Sequence, residues 1–292
     1  MSGDARVLPS QRYRFVPSSP DLRLWVSYYV IVDDRAPGVT VPTISYLPAM
    51  PGAELYCNLE GVPSVFDRAG VRHRGPRAVF AGPRTRLLVT ANDCTPVYAL
   101  VIGFRVGGWW DLVYPDPASL VDDYAIPDDV LGDPAQDLMA RLEYHGERSI
   151  VTATEDWLRQ LIRRRGVCER ETLWLRERML TDSPAAVAAD TGLSRRQLDR
   201  RFRRIFGLTP KSFQRLARLE VVHRCGYLSQ QSDSPAQDAA QLAAYAGYYD
   251  QSHLDRDMRA FDGLSLADMR AQLDRQAPEF DLFQRPPPHS LF

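Results

Sequence analysis

The sequence predicts an α+β protein of two domains, a β-rich first domain followed by helices and an all-helical second domain. The chain has 292 residues, 45% of them hydrophobic, which is enough to form two hydrophobic cores. Fifteen of its 22 prolines lie before residue 135 and separate short apolar runs, whereas the later sequence has a helical pattern. These two halves are therefore expected to fold differently.

Short apolar runs with Pro and Gly turns between them characterise the first hundred residues. Runs at this spacing are typical of strands in a β-sandwich or a β-barrel. The strands are expected at 24–32, 54–60, 78–82, 86–90 and 97–106.

Beyond residue 134 the spacing of apolar residues becomes that of helices. Leu138 and Leu142 are one turn apart, and a second apolar stripe follows at Trp157, Leu158, Leu161 and Ile162. Such stripes need a partner surface, which is either the β-rich domain or a second subunit.

The segment RRRGVCERE around Gly166 is the expected domain boundary, because a glycine stands where a helix C-cap belongs and charges surround it. We expect a first domain at 1–166, a second at 167–277 and a disordered tail at 278–292. Helix starts in the second domain are indicated by capping side chains, three of them before a proline, at Ser183-Pro184, Ser194, Thr209-Pro210 and Ser234-Pro235.

The helix expected after Ser194 has one apolar and one basic face. Its apolar stripe consists of Leu198, Phe202, Ile205 and Phe206, and the opposite side carries Arg196, Arg200, Arg203 and Arg204. The segment 194–224 has a net charge of +8, while the rest of the chain sums to −9. This local basic field indicates a polyanionic partner.

An internal repeat extends this pattern. The segment 187–210 aligns with 242–266, with one extra residue after Gly247, so that Leu198 matches Leu254 and Gly207 matches Gly263. Each copy predicts a short Ala-rich helix, a glycine turn and a second helix with a polar outer face. This is the helix-turn-helix pattern, in which the second helix enters the major groove of DNA.

The motifs GLSRRQLDRRFRRIFGLTPKSF and AGYYDQSHLDRDMRAFDGLS, joined by KSFQRLARLEVVHRC, resemble the DNA-binding domain of the AraC/XylS family of bacterial transcription regulators. The resemblance covers about residues 170 to 275. It implies two helix-turn-helix units that read successive major-groove segments. More loosely, YRFVPSSPDLRLWVSYYVIV and FAGPRTR resemble that family's sensor domains, which implies a cupin-like β-barrel with dimerising helices.

In the first unit, Arg196 and Arg200 are the leading candidates for base contacts, because arginine pairs with guanine through two hydrogen bonds. Gln197 either reaches adenine or closes a capping box with Ser194. Asp199 either accepts from cytosine or restrains a neighbouring arginine. The side chains suited to phosphates are Arg195, Arg204, Lys211 and Ser212, the last two at a helix start.

The second unit is less basic, with Asp250, Asp255 and Asp257 in its second helix and Leu266 where the first unit has Pro210. We expect the first unit to carry most of the sequence discrimination. The base-contact candidates of the second unit are Gln251, Ser252 and Arg256, and His253 is a candidate for a phosphate contact.

Enzymatic chemistry finds little support in the sequence. The four cysteines are far apart, the first domain has only His73 and His145, and nucleophile-elbow and phosphate-loop motifs are absent. We therefore expect no cofactor, no metal and reduced cysteines. For Cys94 the sequence favours a buried thiol over a sensor. For the pairs Tyr28-Tyr29 and Trp109-Trp110 it favours core residues over residues that line a pocket. Arg84 and Arg86 weakly suggest an anion site.

The sequence as a whole indicates a cytoplasmic, sequence-specific transcription regulator controlled through its N-terminal domain, without a signal peptide or membrane span. Double-stranded DNA is the expected partner. RNA polymerase, a small-molecule effector, a protein partner and a second copy of the chain stay open. The alternative is a β-barrel protein that binds or modifies a small molecule, with the helical half as a partner-binding module.

Overall fold

The computed structural model describes residues 13–35, 44–66, 71–91, 95–109, 112, 116–131, 134–145, 149–165, 170–231, 238–274 and 281–282. Within them, a region rich in antiparallel sheet precedes a helical C-terminal half. The expected α+β class is confirmed. None of the helices in these ranges combines the length and the hydropathy needed to cross a membrane.

The strands form two sheets. Their bounds are β1 (Tyr13–Pro17), β2 (Val26–Asp33), β3 (Ile44–Leu47), β4 (Glu54–Glu60), β5 (Ser64–Phe66), β6 (Arg72–Arg74), β7 (Ala78–Ala81), β8 (Leu88–Ala91), β9 (Tyr98–Phe104), β10 (Tyr124–Ala125) and β11 (Asp281–Leu282). One sheet has the order β1-β2-β9-β4-β7-β10 and the other the order β11-β3-β8-β5-β6. Both stay open among the described residues, so the structure does not show the closed barrel that the cupin resemblance implies.

The two faces of the larger sheet have different partners. In β2, Tyr28 and Val30 share a cluster with Leu47 of the second sheet, whereas Tyr29 and Ile31 belong to a core that includes helical residues. This alternation follows from the two-residue period of a strand. The first sheet thus lies between the second sheet and a layer of helices.

The helices of that layer are α1 (Pro127–Leu131), α2 (Pro134–His145) and α3 (Ile150–Arg165). Leu138 and Leu142 on α2 are buried in the same core as Trp157, Leu158 and Leu161 on α3. Of the two partners expected for these stripes, the structure shows the sheet of the same chain.

The second half contains α4 (Arg170–Thr181), α5 (Pro184–Thr191), α6 (Arg195–Phe206), α7 (Pro210–Gln231), α8 (Ala239–Tyr245), α9 (Gln251–Phe261) and α10 (Leu266–Asp274). Ser183 and Ser194 cap α5 and α6, as the sequence predicts. The hydroxyl of Thr209 accepts from the Ser212 N–H at the start of α7. Ser234-Pro235 lies outside the described residues, and Asp238 caps α8.

The domain boundary around Gly166 also lies outside the described residues, between α3 and α4, and the limits 1–166 and 167–277 stay predictions. In the tail at 278–292, Asp281–Leu282 departs from the expected disorder. These two residues pair in parallel with Ser45 and Tyr46 of β3, because β3 offers an otherwise open edge to the chain.

Candidate nucleic-acid interface and apolar cavity

The first candidate reading helix, α6, is held by its apolar face. Leu198, Phe202, Ile205 and Phe206 are all at most 4% exposed. The rings of Phe202 and Phe206 lie 4.2 Å apart, and both pack on Phe213 of α7. Gly192 has a φ of 65° and forms the left-handed turn between α5 and α6. The predicted helix-turn-helix geometry is present.

The outer face of α6 is open and basic. Arg196 and Arg200, one turn apart, are exposed, whereas Asp199 beside them is half-buried. Of the residues predicted to suit phosphates, Arg195, Arg204 and Lys211 are exposed, and Ser212 is half-buried with its hydroxyl against that of Thr209. The candidate residues of the first unit therefore lie along one helix and the start of the next.

Gln197 takes part in a capping box. Its Oε1 accepts from the backbone N–H of Ser194 at 2.8 Å, and the hydroxyl of Ser194 accepts from the Gln197 N–H at 3.3 Å. Of the two roles that the sequence left open, capping is the one present in this structure.

The second unit repeats the arrangement with fewer charges. α8 and α9 meet at a turn in which Gly247 has a φ of 78°. In the repeat alignment, Arg196, Arg200, Arg203 and Arg204 correspond to the exposed residues Ser252, Arg256, Arg259 and Ala260. Gln251 is exposed as well. The outer face of α9 therefore carries half as many arginines as that of α6.

The three aspartates of this helix have internal roles. Asp250 caps α9 by accepting from the His253 N–H at 2.7 Å. Asp255 accepts from the Leu266 N–H at 3.0 Å, a bond that the first unit cannot form because Pro210 stands at that position. Asp257, only 2% exposed, pairs with Arg215 of α7 at 2.8 Å. Of the three, Asp257 is the one withdrawn from the surface, because Asp250 is exposed and Asp255 is half-buried.

Aromatic residues flank the start of α9. The ring of His253 packs edge-on against Tyr248 at 5.2 Å, and the imidazole is half-buried. Burial, followed by the charge of Asp257, raises the pKa of Tyr248. Tyr249 is 94% exposed directly before the N-cap, and Tyr245 is 64% exposed. Sequence reasoning missed these two tyrosines, although aromatic residues at polar positions were a signal.

Residues 187–272 match a protein family described as a helix-turn-helix domain. This segment is a helix-turn-helix domain of the AraC type. The match spans both units and the joining helix α7. No curated protein matches the sequence of this chain.

Three solved structures align with most of the chain at low sequence identity. ToxT from Vibrio cholerae in a P21 crystal form is 7% identical, with a TM-score of 0.46 over 76% of this chain and 90% of that chain. ToxT from Vibrio cholerae O395 is 8% identical, with a TM-score of 0.42 over 78% and 95% of the two chains. Wild-type ToxT of strain SCE256 with a bound unsaturated fatty acid is 7% identical, with a TM-score of 0.42 over 76% and 91%.

The N-terminal region contacts the C-terminal ends of both candidate reading helices, α6 and α9. At α9, the Ala49 N–H donates to Oδ1 of Asp262 at 3.0 Å, and the Leu87 N–H donates to the Phe261 carbonyl at 2.9 Å. At α6, a Cβ on Gly207 would lie 2.7 Å from the carbonyl oxygen of Pro117. We call these contacts the interdomain seam.

An apolar cavity of about 110 Å³ lies between the two sheets. Its wall includes Leu47 of β3, Leu88 of β8 and Val101 of β9. Two of its polar side chains have protein partners, because the Asn58 amide donates to the Pro76 carbonyl at 3.2 Å and the Tyr56 hydroxyl donates to Glu54. None of the described residues that line the cavity carries a charge.

Other candidate residues of the N-terminal half are structural. Tyr28, Tyr29 and Trp109 are at most 2% exposed and belong to the core, and Trp110 lies outside the described residues. Arg84 is buried and faces an anion of its own chain, Glu54, at 2.8 Å, whereas Arg86 is exposed.

Among the described cysteines, Cys57 is buried and Cys225 is half-buried. Burial raises the pKa of the Cys57 thiol to about 12, which keeps it protonated at neutral pH. Cys94 lies outside the described residues. No group of three or more His, Cys, Asp or Glu side chains within the described ranges could hold a metal ion.

Proposed function

We propose that this chain is a cytoplasmic, sequence-specific DNA-binding transcription regulator, controlled through its N-terminal domain. The observation that carries this proposal is the repeated exposed face on the second helix of each unit in an AraC-type domain. Two such faces in tandem suit two successive segments of the major groove.

In this proposal the base contacts come from both helices. Arg196 and Arg200 read guanines through paired hydrogen bonds, and Arg256 does the same in the second unit. Their exposure supports these roles. The other proposed base-reading side chains are Gln197, Asp199, Gln251 and Ser252. Gln197 would use its amide nitrogen, because its capping bonds involve the amide oxygen.

Contacts to phosphates hold the register without reading the sequence. In our proposal the phosphates are bound by the charged side chains of Arg195, Arg204 and Lys211. Ser212 contributes a further contact at the start of α7, where the helix dipole attracts anions. His253 contributes from the start of α9. Tyr249 joins them in our proposal, because a tyrosine exposed next to a helix start can bond to a phosphate and pack on a sugar.

The seam supports control by the N-terminal domain without obstructing DNA. A recognition helix contacts bases mainly with its N-terminal residues, whereas the seam involves the opposite ends of α6 and α9. Contacts at these ends support an influence of the N-terminal domain on both helices, and the proposed reading residues stay exposed.

The effector that we propose is a compact, uncharged, apolar molecule bound in the cavity between the sheets. An engineered cavity of about 150 Å³ binds benzene, so a volume of about 110 Å³ suits a molecule of similar or smaller size. A charged effector would find no counter-ion among the described wall residues and would lose its hydration.

DNA affinity tests the proposal. The full chain is titrated with the DNA upstream of its own gene and with a shuffled duplex of equal length, at two salt concentrations. A specific regulator prefers its own site by about 10³ or more. The double variant Arg196→Ala, Arg200→Ala should lose this preference.

The matched control is Arg163→Ala, Arg164→Ala, which removes the same charge from an exposed part of α3. The control should keep the wild-type preference. Equal, salt-sensitive affinity for both duplexes would mean nonspecific binding. Absence of binding, both alone and with cell extract as a source of effector, would reject the regulator.

The cavity also favours a second candidate, a small-molecule-binding protein whose helical half binds a protein partner. This candidate predicts cavity binding but does not require the salt-dependent DNA affinity that the regulator requires. Retention on heparin with a steep salt response would decide against it.

A further inference from the structure

The cavity and the second reading helix are joined by a continuous series of buried contacts. Tyr56 lines the cavity, and its hydroxyl donates to Oε2 of Glu54. The same carboxylate oxygen accepts from Nη2 of Arg84 at 2.8 Å. Glu54 is fully buried and Arg84 is 3% exposed, so solvent does not screen this pair.

Arg84 then holds the segment that follows β3. Its Nε donates to the Pro48 carbonyl at 3.3 Å. Its backbone exchanges two hydrogen bonds with that of Met50, at 2.8 and 2.9 Å. Both residues flanking Ala49 are therefore fixed by Arg84.

Ala49 makes the connection to the second unit. Its side chain is fully buried within the core of the C-terminal helices, and its N–H donates to Asp262, the C-cap of α9. The other oxygen of Asp262 lies 2.7 Å from Nε2 of His223 on α7. Asp262 thus joins the N-terminal domain, α9 and α7 at one buried point.

A second connection follows the backbone of β8. Leu88 lines the cavity, and the preceding residue, Leu87, donates its N–H to the carbonyl of Phe261 at the end of α9. Both strands with ends at the seam, β3 and β8, therefore also line the cavity.

We propose that occupancy of the cavity affects the second helix-turn-helix unit through contacts of Arg84, Ala49 and Asp262. In this proposal Asp262 is the positioning residue. This inference rests on the proposed function, because it assigns to the cavity the regulation of DNA binding. A molecule in the cavity fixes the Tyr56 side of the network, and the end of α9 is then held more firmly against β3 and β8. The discriminating residues of α6 are affected less.

Spatial continuity alone does not establish coupling, so the test measures it directly. Amide hydrogen exchange is followed in the full chain over α9 and over α6, with and without benzene as the probe. In a parallel variant, Ala99→Leu, a larger side chain occupies the same cavity from β9. Each measurement is repeated in Asp262→Ala and in Asp262→Asn.

We expect benzene to slow exchange at the end of α9 at least threefold in the wild type, and Ala99→Leu to change it by a similar factor. Asp262→Ala should clearly reduce both effects, since only the backbone bond from Leu87 to Phe261 is left, while benzene still raises its melting temperature. Asp262→Asn should retain them, because an amide oxygen can still accept from the Ala49 N–H. If Asp262 had a merely structural role, Asp262→Ala would lower the stability of the protein, but benzene binding would still slow exchange at the end of α9.

An undiminished α9 response in Asp262→Ala would overturn the inference, as would benzene binding without any response of α9. If benzene does not bind, the inference is judged on the Ala99→Leu variant. If circular dichroism shows that this variant is unfolded, the inference is judged on the benzene measurements. Failure of both rejects the cavity as a site. DNA affinity, measured on the same samples, judges the proposed function separately, since exchange requires no DNA.

Discussion

Arg215 on α7 donates hydrogen bonds from Nε and Nη2 to Oδ1 of Asp257 on α9, at 3.0 and 2.8 Å. The carboxylate side chain is 3% exposed and that of the arginine 30%. The guanidinium also lies over the ring of Phe261, 4.6 Å from its centroid. This pair attaches the second helix-turn-helix unit to α7, the helix that joins the two units.

Removing the arginine should destabilise the second unit. Arg215→Ala leaves a buried carboxylate without its counter-ion, a change that typically costs about 3–5 kcal/mol. Urea denaturation of the full chain measures this cost. Arg259→Ala, at an exposed position of α9, should change the free energy of unfolding by no more than about 0.5 kcal/mol. Equal effects of the two substitutions would show that the buried pair contributes nothing.

The two reading helices should differ in their contribution to specificity. Arg200→Ala should cost about 1–3 kcal/mol in binding to the cognate duplex, and Arg256→Ala should cost less, because fewer arginines surround it. Competition binding against single-base variants of the site measures both losses. A larger loss for Arg256→Ala would reverse the ranking of the two units.

Two glycines at equivalent positions of the repeat test the seam. Gly207 and Gly263 have nearly equal φ values, 73° and 72°. A Cβ on Gly263 would meet nothing within 4 Å, whereas one on Gly207 would lie 2.7 Å from the Pro117 carbonyl oxygen. Gly263→Ala should therefore cost about 1–2 kcal/mol from the left-handed backbone alone, and Gly207→Ala should cost clearly more.

Chemical denaturation compares these glycine variants, and hydrogen exchange at 117–121 locates the effect. If the two substitutions cost the same and exchange at 117–121 is unchanged, α6 and the N-terminal domain are not in firm contact in solution.

Uncharged apolar molecules should stabilise the protein by binding in the cavity. Benzene at ten times its Kd would raise the free energy of unfolding by about 1.4 kcal/mol, and the melting temperature would rise accordingly. Benzoate, similar in shape but charged, should have no such effect. Equal stabilisation by benzoate would mean that the molecules bind outside this uncharged wall.

The sequence predicted those features that depend on neighbours along the chain. The apolar face of α6 follows from helical spacing, and the caps at Ser183 and Ser194 follow from their position before a helix. The repeat predicted both helix-turn-helix units. Each of these features is decided within about twenty residues.

Features that depend on distant residues were not predictable in this way. Asp257 looked like an exposed acidic residue because its partner, Arg215, is 42 positions away. Arg84 looked like half of an anion site because nothing in the sequence relates it to Glu54. Among the residues that the structure describes, the strands form two open sheets instead of the expected closed barrel, because closure depends on long-range pairing that alternating apolar residues do not specify.

The internal roles of the aspartates in α9 have a consequence for how the two units can diverge. Asp250, Asp255 and Asp257 each fix a helix end or a neighbouring helix, so a change at any of them alters stability as well as charge. On α6, Arg196 and Arg200 point outward from a core that does not use them. In the proposed regulator, substitutions at Arg196 and Arg200 can therefore alter base contacts at little cost in stability, whereas substitutions at these three aspartates cannot.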